Sequence, residues 1–220
     1  MCIRDRKQIT HAHIVKVLTN DLERIDDTVS FCLEDGGRDL IARQVPLDRC
    51  KDVYDQIKAA MTHLHSRGIV HRDLKLDNVV ADTKWHVRLI DFGFAMEVCN
   101  QPPTNPWDET RMVGSPCYIA PEVWTDDSYD LFGVDAWALG MVLFAMGFEA
   151  LPFEKAHAPS NTPFRLWKRR HVVDGKTPFA ALCATFGFHG KMWAQKAPTW
   201  MVDEINRFLV LSSMWRTHLA

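Results

Sequence analysis

The sequence has 220 residues, of which 47% are hydrophobic and 25% are charged, and its formal net charge is -2. A chain of this length and composition can bury the core of one globular domain. The nearly neutral charge gives no reason to expect a nucleic-acid partner. The six cysteines contain no CxxC pair. Their scatter argues against a zinc site or a disulfide framework and indicates an intracellular protein, cytoplasmic or nuclear.

No targeting signal is visible, since the sequence begins with charged residues where a signal peptide would carry its apolar stretch. The first six residues, MCIRDR, resemble the translation of a sequencing-library adapter, so we expect 1–6 to be a cloning or assembly artefact. The longest apolar run, 137–148, contains two glycines and is shorter than the roughly twenty residues that a membrane span needs. It therefore predicts a buried helix and no membrane insertion.

Hydrophobic periodicity predicts an α+β protein. Short apolar segments rich in β-branched residues predict strands at 14–18, 28–33, 69–70, 79–80 and 87–90. Longer segments with helical spacing or all-round apolarity predict helices at 52–64, 135–146, 164–171, 180–186 and 200–211. Residues 96–114 have no periodicity and predict a long loop. Strands come early and helices late, which favours an α+β class with a helical majority.

Three motifs follow each other in the second quarter of the chain and beyond. The first is the octapeptide His71-Arg72-Asp73-Leu74-Lys75-Leu76-Asp77-Asn78. It is followed by two tripeptides, Asp91-Phe92-Gly93 and Ala120-Pro121-Glu122. Asp-Phe-Gly alone is a common turn tripeptide, so the octapeptide decides the interpretation. In this order the motifs resemble those of eukaryotic protein kinases of the serine/threonine type.

The resemblance implies a protein-kinase-like fold, mainly helical, with a truncated small-lobe β-sheet. Residues 7–34 then correspond to a remnant of the small lobe, and 35–220 to the large lobe, truncated at its C-terminus.

The same resemblance implies roles for the catalytic residues. Asp73 orients the substrate hydroxyl and accepts its proton, and Lys75 contacts the γ-phosphate of ATP. Asn78 and Asp91 hold Mg²⁺, for which oxygen ligands are suited. Phosphoryl transfer consists largely of positioning a hydroxyl and neutralising charge, which explains these residue types. Lys75, together with Gly114-Ser115-Pro116, indicates a serine or threonine acceptor in a protein substrate.

Residues 29–40 resemble the last small-lobe strand and the hinge that binds adenine. Leu33 takes the gatekeeper position in this comparison. Glu34 and Gly36 then offer backbone groups to the base, and Val80 forms the floor under the ring.

Further positions match regulatory or structural residues of the family. Arg72 matches the arginine that pairs with a phosphorylated activation segment, and Thr110 is the nearest candidate acceptor. Phe92, Gly93 and Ser115 belong to the conserved triplet and the activation segment.

Two more acidic residues match structural positions of the family. Glu122 is expected to pair with Arg216. Asp135, near the start of the buried central helix, is expected to fix the backbone of the catalytic loop.

Part of the family's ATP site has no counterpart in this sequence. No glycine precedes Gly36 and no glutamate precedes Glu23, so the glycine-rich loop and the Lys–Glu pair cannot be assembled. We expect an active kinase from the parent gene and an inactive chain by itself. A pseudokinase acting as a scaffold and a fragment without independent function are the alternatives, although intact Asp73, Asn78 and Asp91 argue against the first.

A basic run, Lys168-Arg169-Arg170-His171, lies in the third predicted helix. Such a run is more often a solvated helix face than a recognition patch, and we interpret it in that way.

Overall fold

The computed structural model describes residues 9–18, 23–25, 28–30, 32–98, 113–126, 129–157, 159–211 and 219, and for 23–25 and 28–30 it describes the backbone alone. Short strands and the 16-residue helix Cys50–His65 occupy the first half of the chain, and most of the described helices follow. The predicted α+β class with a helical majority is confirmed.

The described strands form three small antiparallel sheets. They are β1 (Glu23–Ile25), β2 (Thr28–Ser30), β3 (Arg38–Asp39), β4 (Ile69–Val70), β5 (Val79–Ala81), β6 (Val87–Leu89) and β7 (Met96–Glu97). β1 pairs with β2, β5 lies between β3 and β6, and β4 pairs with β7. The sheet formed by β3, β5 and β6 places the ends of two strands beside the octapeptide.

The segment predicted as a strand at 14–18 forms isolated bridges instead of a regular strand. Ile14 bridges to Leu89, and Val17 bridges to Leu33. The segment changes its partner between these two positions, so neither ladder becomes long enough to form a strand. Of the strand predicted at 28–33, Thr28–Ser30 is regular.

The helices include all five that periodicity predicted and three more. They are α1 (Leu40–Arg43), α2 (Cys50–His65), α3 (Pro121–Thr125), α4 (Leu131–Phe148), α5 (Thr162–Val172), α6 (Pro178–Thr185), α7 (Phe188–Lys196) and α8 (Thr199–Phe208). A 3₁₀ turn, η1 (Leu76–Asn78), precedes β5. α1, α3 and α7 were not predicted, since the first two are a single turn each and the third has weak amphipathic periodicity.

α4 is the central helix of the core. It is long and apolar enough to cross a membrane by composition, but 89% of its length is buried inside the described part of the protein. A Cβ atom at Gly140 would lie 2.8 Å from a methyl carbon of Leu209, so glycine there permits the close approach of the segment that ends α8. These contacts identify α4 as the core helix of a folded lobe.

A partly buried polar contact connects α2 with α8. The Tyr54 hydroxyl donates to Oε2 of Glu204 at 2.6 Å, and Nζ of Lys58 donates to the same oxygen at 2.7 Å. Burial and the neighbouring carboxylate raise the pKa of Tyr54, so the phenol remains a donor at neutral pH.

We expect Tyr54→Phe to lower the free energy of unfolding by about 1.5–3 kcal/mol, because it removes a hydrogen bond to a charged group. Urea denaturation monitored by circular dichroism measures the change. Asp55→Asn is the control, since the Lys51–Asp55 pair lies on one exposed helix face, where such pairs contribute about 0.3–0.5 kcal/mol. Equal losses in both variants would contradict a stabilising contact between α2 and α8.

Candidate active site

The octapeptide forms a loop between β4 and β5 that is fixed by a buried carboxylate of α4. Asp135 is completely buried, and its Oδ2 accepts from the backbone N–H of His71 at 2.8 Å. Its Oδ1 accepts from the backbone N–H of Arg72 at 2.9 Å. Arg72 has φ 69°, a left-handed conformation that non-glycine residues seldom adopt without support. Asp135 therefore holds the loop in a conformation that the chain would not adopt alone.

His65, at the end of α2, completes this buried cluster. Its Nε2 lies 2.9 Å from Oδ2 of Asp135. Burial opposes ionisation of Asp135, but the hydrogen bonds from His65 and from the loop outweigh it and lower the pKa of the carboxyl. Burial also lowers the pKa of His71. Sequence analysis did not assign His65 to the site, although a histidine in the last turn of an otherwise apolar helix face was a usable signal.

Asp73 has both carboxylate oxygens engaged by neighbouring groups. Oδ1 accepts from the backbone N–H of Ser115 at 2.9 Å and from its hydroxyl at 3.1 Å. Oδ2 lies 3.1 Å from Nδ2 of Asn78 and 3.0 Å from Nζ of Lys75. The residue is 7% exposed. The orientation of this carboxylate is thus determined from two sides.

Ser115 contacts the centre of the site more closely than its predicted regulatory role implied. Its hydroxyl also accepts from Nζ of Lys75 at 2.9 Å, so Asp73, Lys75 and Ser115 form one hydrogen-bonded group. Gly114, with φ 102°, lets the chain pass the loop, because a Cβ atom there would lie 2.7 Å from the Arg72 carbonyl oxygen.

The antiparallel pairing of β5 and β6 places Asp91 beside Asn78. Asn78 precedes β5 and Ile90 follows β6, and the backbone N–H of Ile90 donates to the Asn78 carbonyl at 2.9 Å. Asp91 is exposed with φ 54°, and its Oδ1 accepts from the backbone N–H of Gly93 at 3.1 Å. Phe92 is 2% exposed and its ring centroid lies 5.1 Å from that of His71. The buried phenyl ring anchors the turn that presents Asp91.

The donor set at Asn78 and Asp91 fits Mg²⁺. Nδ2 of Asn78 donates hydrogen bonds to the backbone carbonyl and to the carboxylate of Asp73. The side-chain oxygen of Asn78 is therefore the atom that remains to coordinate a metal ion. Among the described residues no group of three or more His, Cys, Asp or Glu side chains is arranged to hold a metal. An ion held by one amide and one carboxylate would take its other ligands from phosphate and water, as Mg²⁺ commonly does.

The segment predicted as the hinge packs against β5 and β6. The backbone N–H of Glu34 donates to the Lys16 carbonyl at 3.0 Å and is therefore occupied. The backbone carbonyl oxygen of Glu34 is the group that can face a ligand. Oε1 of Glu34 lies 3.2 Å from Nε of Arg88. Leu33 is 37% exposed. A Cβ atom at Gly36 would lie 2.2 Å from Cγ2 of Val80, so the predicted hinge and floor residues are in direct contact.

We expect Gly36→Ala to weaken nucleotide binding by about tenfold. The new methyl group must displace Val80, and overpacking of this kind typically costs about 1–3 kcal/mol. φ at Gly36 is not in the left-handed region, so steric overlap is the main effect. Titration of the complete gene product with a fluorescent ADP analogue measures the affinity. Gly36→Ala combined with Val80→Ala is the control, and it should bind like Val80→Ala alone; no recovery would contradict the contact.

The other predicted regulatory residues fall into two groups. Nη1 of Arg72 lies 3.1 Å from Sδ of Met96, and Glu122 is 5% exposed in α3. Thr110 and Arg216 lie outside the described residues, so their predicted roles stay predictions.

The family of the chain follows from comparison with known proteins. The model of the family "Protein kinase domain" matches residues 3–177. Serine/threonine-protein kinase kin-29 of Caenorhabditis elegans is 32% identical over 196 residues, which cover 82% of this chain and 21% of that protein. Atypical protein kinase C of Drosophila melanogaster is 39% identical over 120 residues, covering 54% of this chain and 19% of that protein.

A third relative, Serine/threonine-protein kinase SIK2 of Gallus gallus, is 36% identical over 121 residues, covering 55% of this chain and 14% of that protein. The chain thus spans about a fifth or less of the length of these three relatives.

The chain belongs to the protein kinase domain family. Within that family it is of the eukaryotic serine/threonine type.

Proposed function

We propose that the protein transfers the γ-phosphoryl group of ATP to a serine or threonine hydroxyl of a protein substrate. The observation that carries the proposal is the arrangement at Asp73, whose two oxygens contact Asn78, Lys75 and Ser115 at 2.9–3.1 Å. Phosphoryl transfer requires groups that position the acceptor hydroxyl and neutralise phosphate charge. An oriented carboxylate beside a lysine and an amide that can bind a metal ion supplies such groups.

Each residue has a separate task in this proposal. Asp73 orients the acceptor hydroxyl and takes its proton, while Lys75 balances the charge of the transferred group. Asn78 and Asp91 hold Mg²⁺, which when bound neutralises phosphate charge. Leu33, the carbonyl of Glu34 and the backbone of Gly36 border the adenine, with Val80 beneath it. An intracellular location belongs to the same proposal.

The hydrogen-bonded group of Asp73, Lys75 and Ser115 supports serine and threonine as acceptors. Lys75 is 22% exposed, so it can reach a phosphate while it contacts Ser115. Ser115 follows Gly114, and the two connect the catalytic loop with the segment that leads to α3. A substrate hydroxyl placed near Asp73 would therefore meet both the loop and this segment.

The test is phosphate transfer from γ-labelled ATP by the complete gene product that contains this chain. We expect labelled phosphoserine or phosphothreonine in a general protein substrate, and loss of the label in Asp91→Ala. A folded protein that binds Mg²⁺ and nucleotide without transfer would support the pseudokinase alternative. A folded protein that binds neither would overturn the assignment of the nucleotide site.

A further inference from the structure

Charge is distributed unevenly along this chain, and the proposed active site does not use the basic part. Residues 162–196, which include α5, α6 and α7, contain seven Lys or Arg side chains and a single carboxylate, Asp174. The whole chain contains 26 cations and 28 carboxylates, so the remainder is acidic. A local basic surface on an otherwise acidic protein is a feature of contacts with acidic partners.

The outward side of α5 combines cations with apolar side chains. Phe164 and Trp167 face the core, where they are 2% and 0% exposed. On the opposite side lies an exposed set that we name the α5 basic face. It consists of Arg165, Lys168, Arg169, Val172 and Val173. The two valines are 60% and 73% exposed, so aliphatic surface lies directly beside the cations.

The sequence favours a solvated helix face at 168–171, but solvation and helix stability explain only part of the α5 basic face. Cations in a last turn interact favourably with the helix dipole, which accounts for Arg169. Arg165 stands three residues before Lys168 and four before Arg169, and like charges at these spacings repel each other. Within the described ranges no cation of α5 takes part in an ion pair. Adjacent exposed valines also lower helix propensity. The part of the chain that the structure describes therefore offers this face no partner that would offset these costs.

α7 also carries exposed apolar side chains, and it packs against α6 as α5 does. Nη1 of Arg170 lies 3.3 Å from Oγ1 of Thr185, which joins the end of α5 to the end of α6. Phe188 begins α7 three residues later and is 74% exposed, and Met192, one turn further, is 52% exposed. Exposed apolar groups and cations thus occur on both of the helices that pack against α6.

We propose that the α5 basic face is a docking surface for an acidic segment of a partner protein that also carries aliphatic side chains. Carboxylates of the segment pair with the three cations, and its aliphatic groups cover Val172 and Val173. The exposed valines favour a protein over a nucleic acid, because a phosphate backbone has no apolar group to place on them. This inference is independent of phosphoryl transfer.

Fluorescence anisotropy of the full chain with a synthetic peptide tests the proposal. The probe is a labelled peptide of about twelve residues composed of glutamate and leucine, a size that one helix face can bind. We expect Arg165→Gln with Arg169→Gln to weaken binding about tenfold, and Val172→Ser with Val173→Ser to weaken it severalfold. The thermal stability of the glutamine variant should be equal to or higher than that of the unchanged chain, because like-charge repulsion is removed.

A matched control removes two exposed cations elsewhere, Arg49→Gln with Lys84→Gln, and should leave peptide affinity unchanged. A peptide with serine in place of leucine should bind more weakly than the probe. Absence of binding, or equal loss in the control variant, would overturn the proposal. So would binding of the serine peptide, single-stranded DNA or phosphatidylserine vesicles at least as tightly as the probe.

Discussion

Asp73→Asn should lower kcat for phosphate transfer by about 10²- to 10⁴-fold, the usual contribution of a positioned proton acceptor. Asparagine preserves the shape of the side chain but cannot accept a proton from the substrate hydroxyl at neutral pH. Both oxygens of Asp73 accept hydrogen bonds, from Ser115 on one side and from Lys75 and Asn78 on the other. The NH2 group of asparagine would face donors on whichever side it points to. Initial rates of the complete gene product with γ-labelled ATP and a protein substrate measure the effect.

The control for this variant is Asp55→Asn, which changes an exposed carboxylate on α2. It should leave kcat unchanged within a factor of two. Thermal unfolding of Asp73→Asn should show that the fold is retained. A retained fold with kcat near that of the unchanged protein would contradict the role of Asp73.

Asp135→Ala should have the largest effect on stability, about 3–5 kcal/mol. The change leaves two backbone N–H groups of the loop and Nε2 of His65 without their acceptor in a completely buried site. Arg72 would then leave its left-handed conformation, so activity should fall together with stability. Urea denaturation and initial rates on the same preparation measure the two effects.

Asp130→Ala is a suitable comparison, because Asp130 caps the same helix by accepting from the backbone N–H of Phe132 at 3.0 Å. Loss of a helix cap typically costs about 0.5–2 kcal/mol and leaves the loop intact. Equal losses of stability in the two variants, or full activity in Asp135→Ala, would contradict the account of the loop.

The pH dependence of stability follows from the lowered pKa of Asp135. A carboxyl with a lower pKa in the folded state contributes stability that is present above its unfolded pKa of about 3.9. That contribution is lost as the pH falls through the folded pKa. The unchanged protein should therefore lose more stability than Asp135→Ala during acid titration below about pH 4.

Sequence reasoning predicted the fold where local signals agree with the tertiary structure. The apolar run within α4 and the apolar spacing in α2 predict a helix without knowledge of the elements that pack against it. Both helices extend slightly beyond the predicted limits. α7 was missed because Phe188 and Met192 are exposed, which removes the periodic signal. The bridges at 14–18 depend on two different partners distant in sequence, so no local pattern could identify them.

The site shows the same division between local motif and tertiary contact. The motifs predicted Asp73, Asn78 and Asp91 as site residues by resemblance alone, and their roles stay predictions. The contact of Ser115 with Asp73 joins residues that are distant in sequence, and its strength depends on how the chain turns at Gly114. The contact between His65 and Asp135 likewise joins the end of α2 to the second turn of α4, and these helices pack only in the folded protein.

A double-mutant cycle on Mg²⁺-dependent ADP affinity, with Asn78→Ala and Asp91→Ala in the complete gene product, tests the central claim most directly. If both residues hold one ion beside the phosphates, each single variant loses most of the increase in affinity that Mg²⁺ produces. The double variant then loses no more, which gives a coupling energy of about 0.5–3 kcal/mol. Additive losses, or an increase that survives both substitutions, would show that the two residues do not share a metal site.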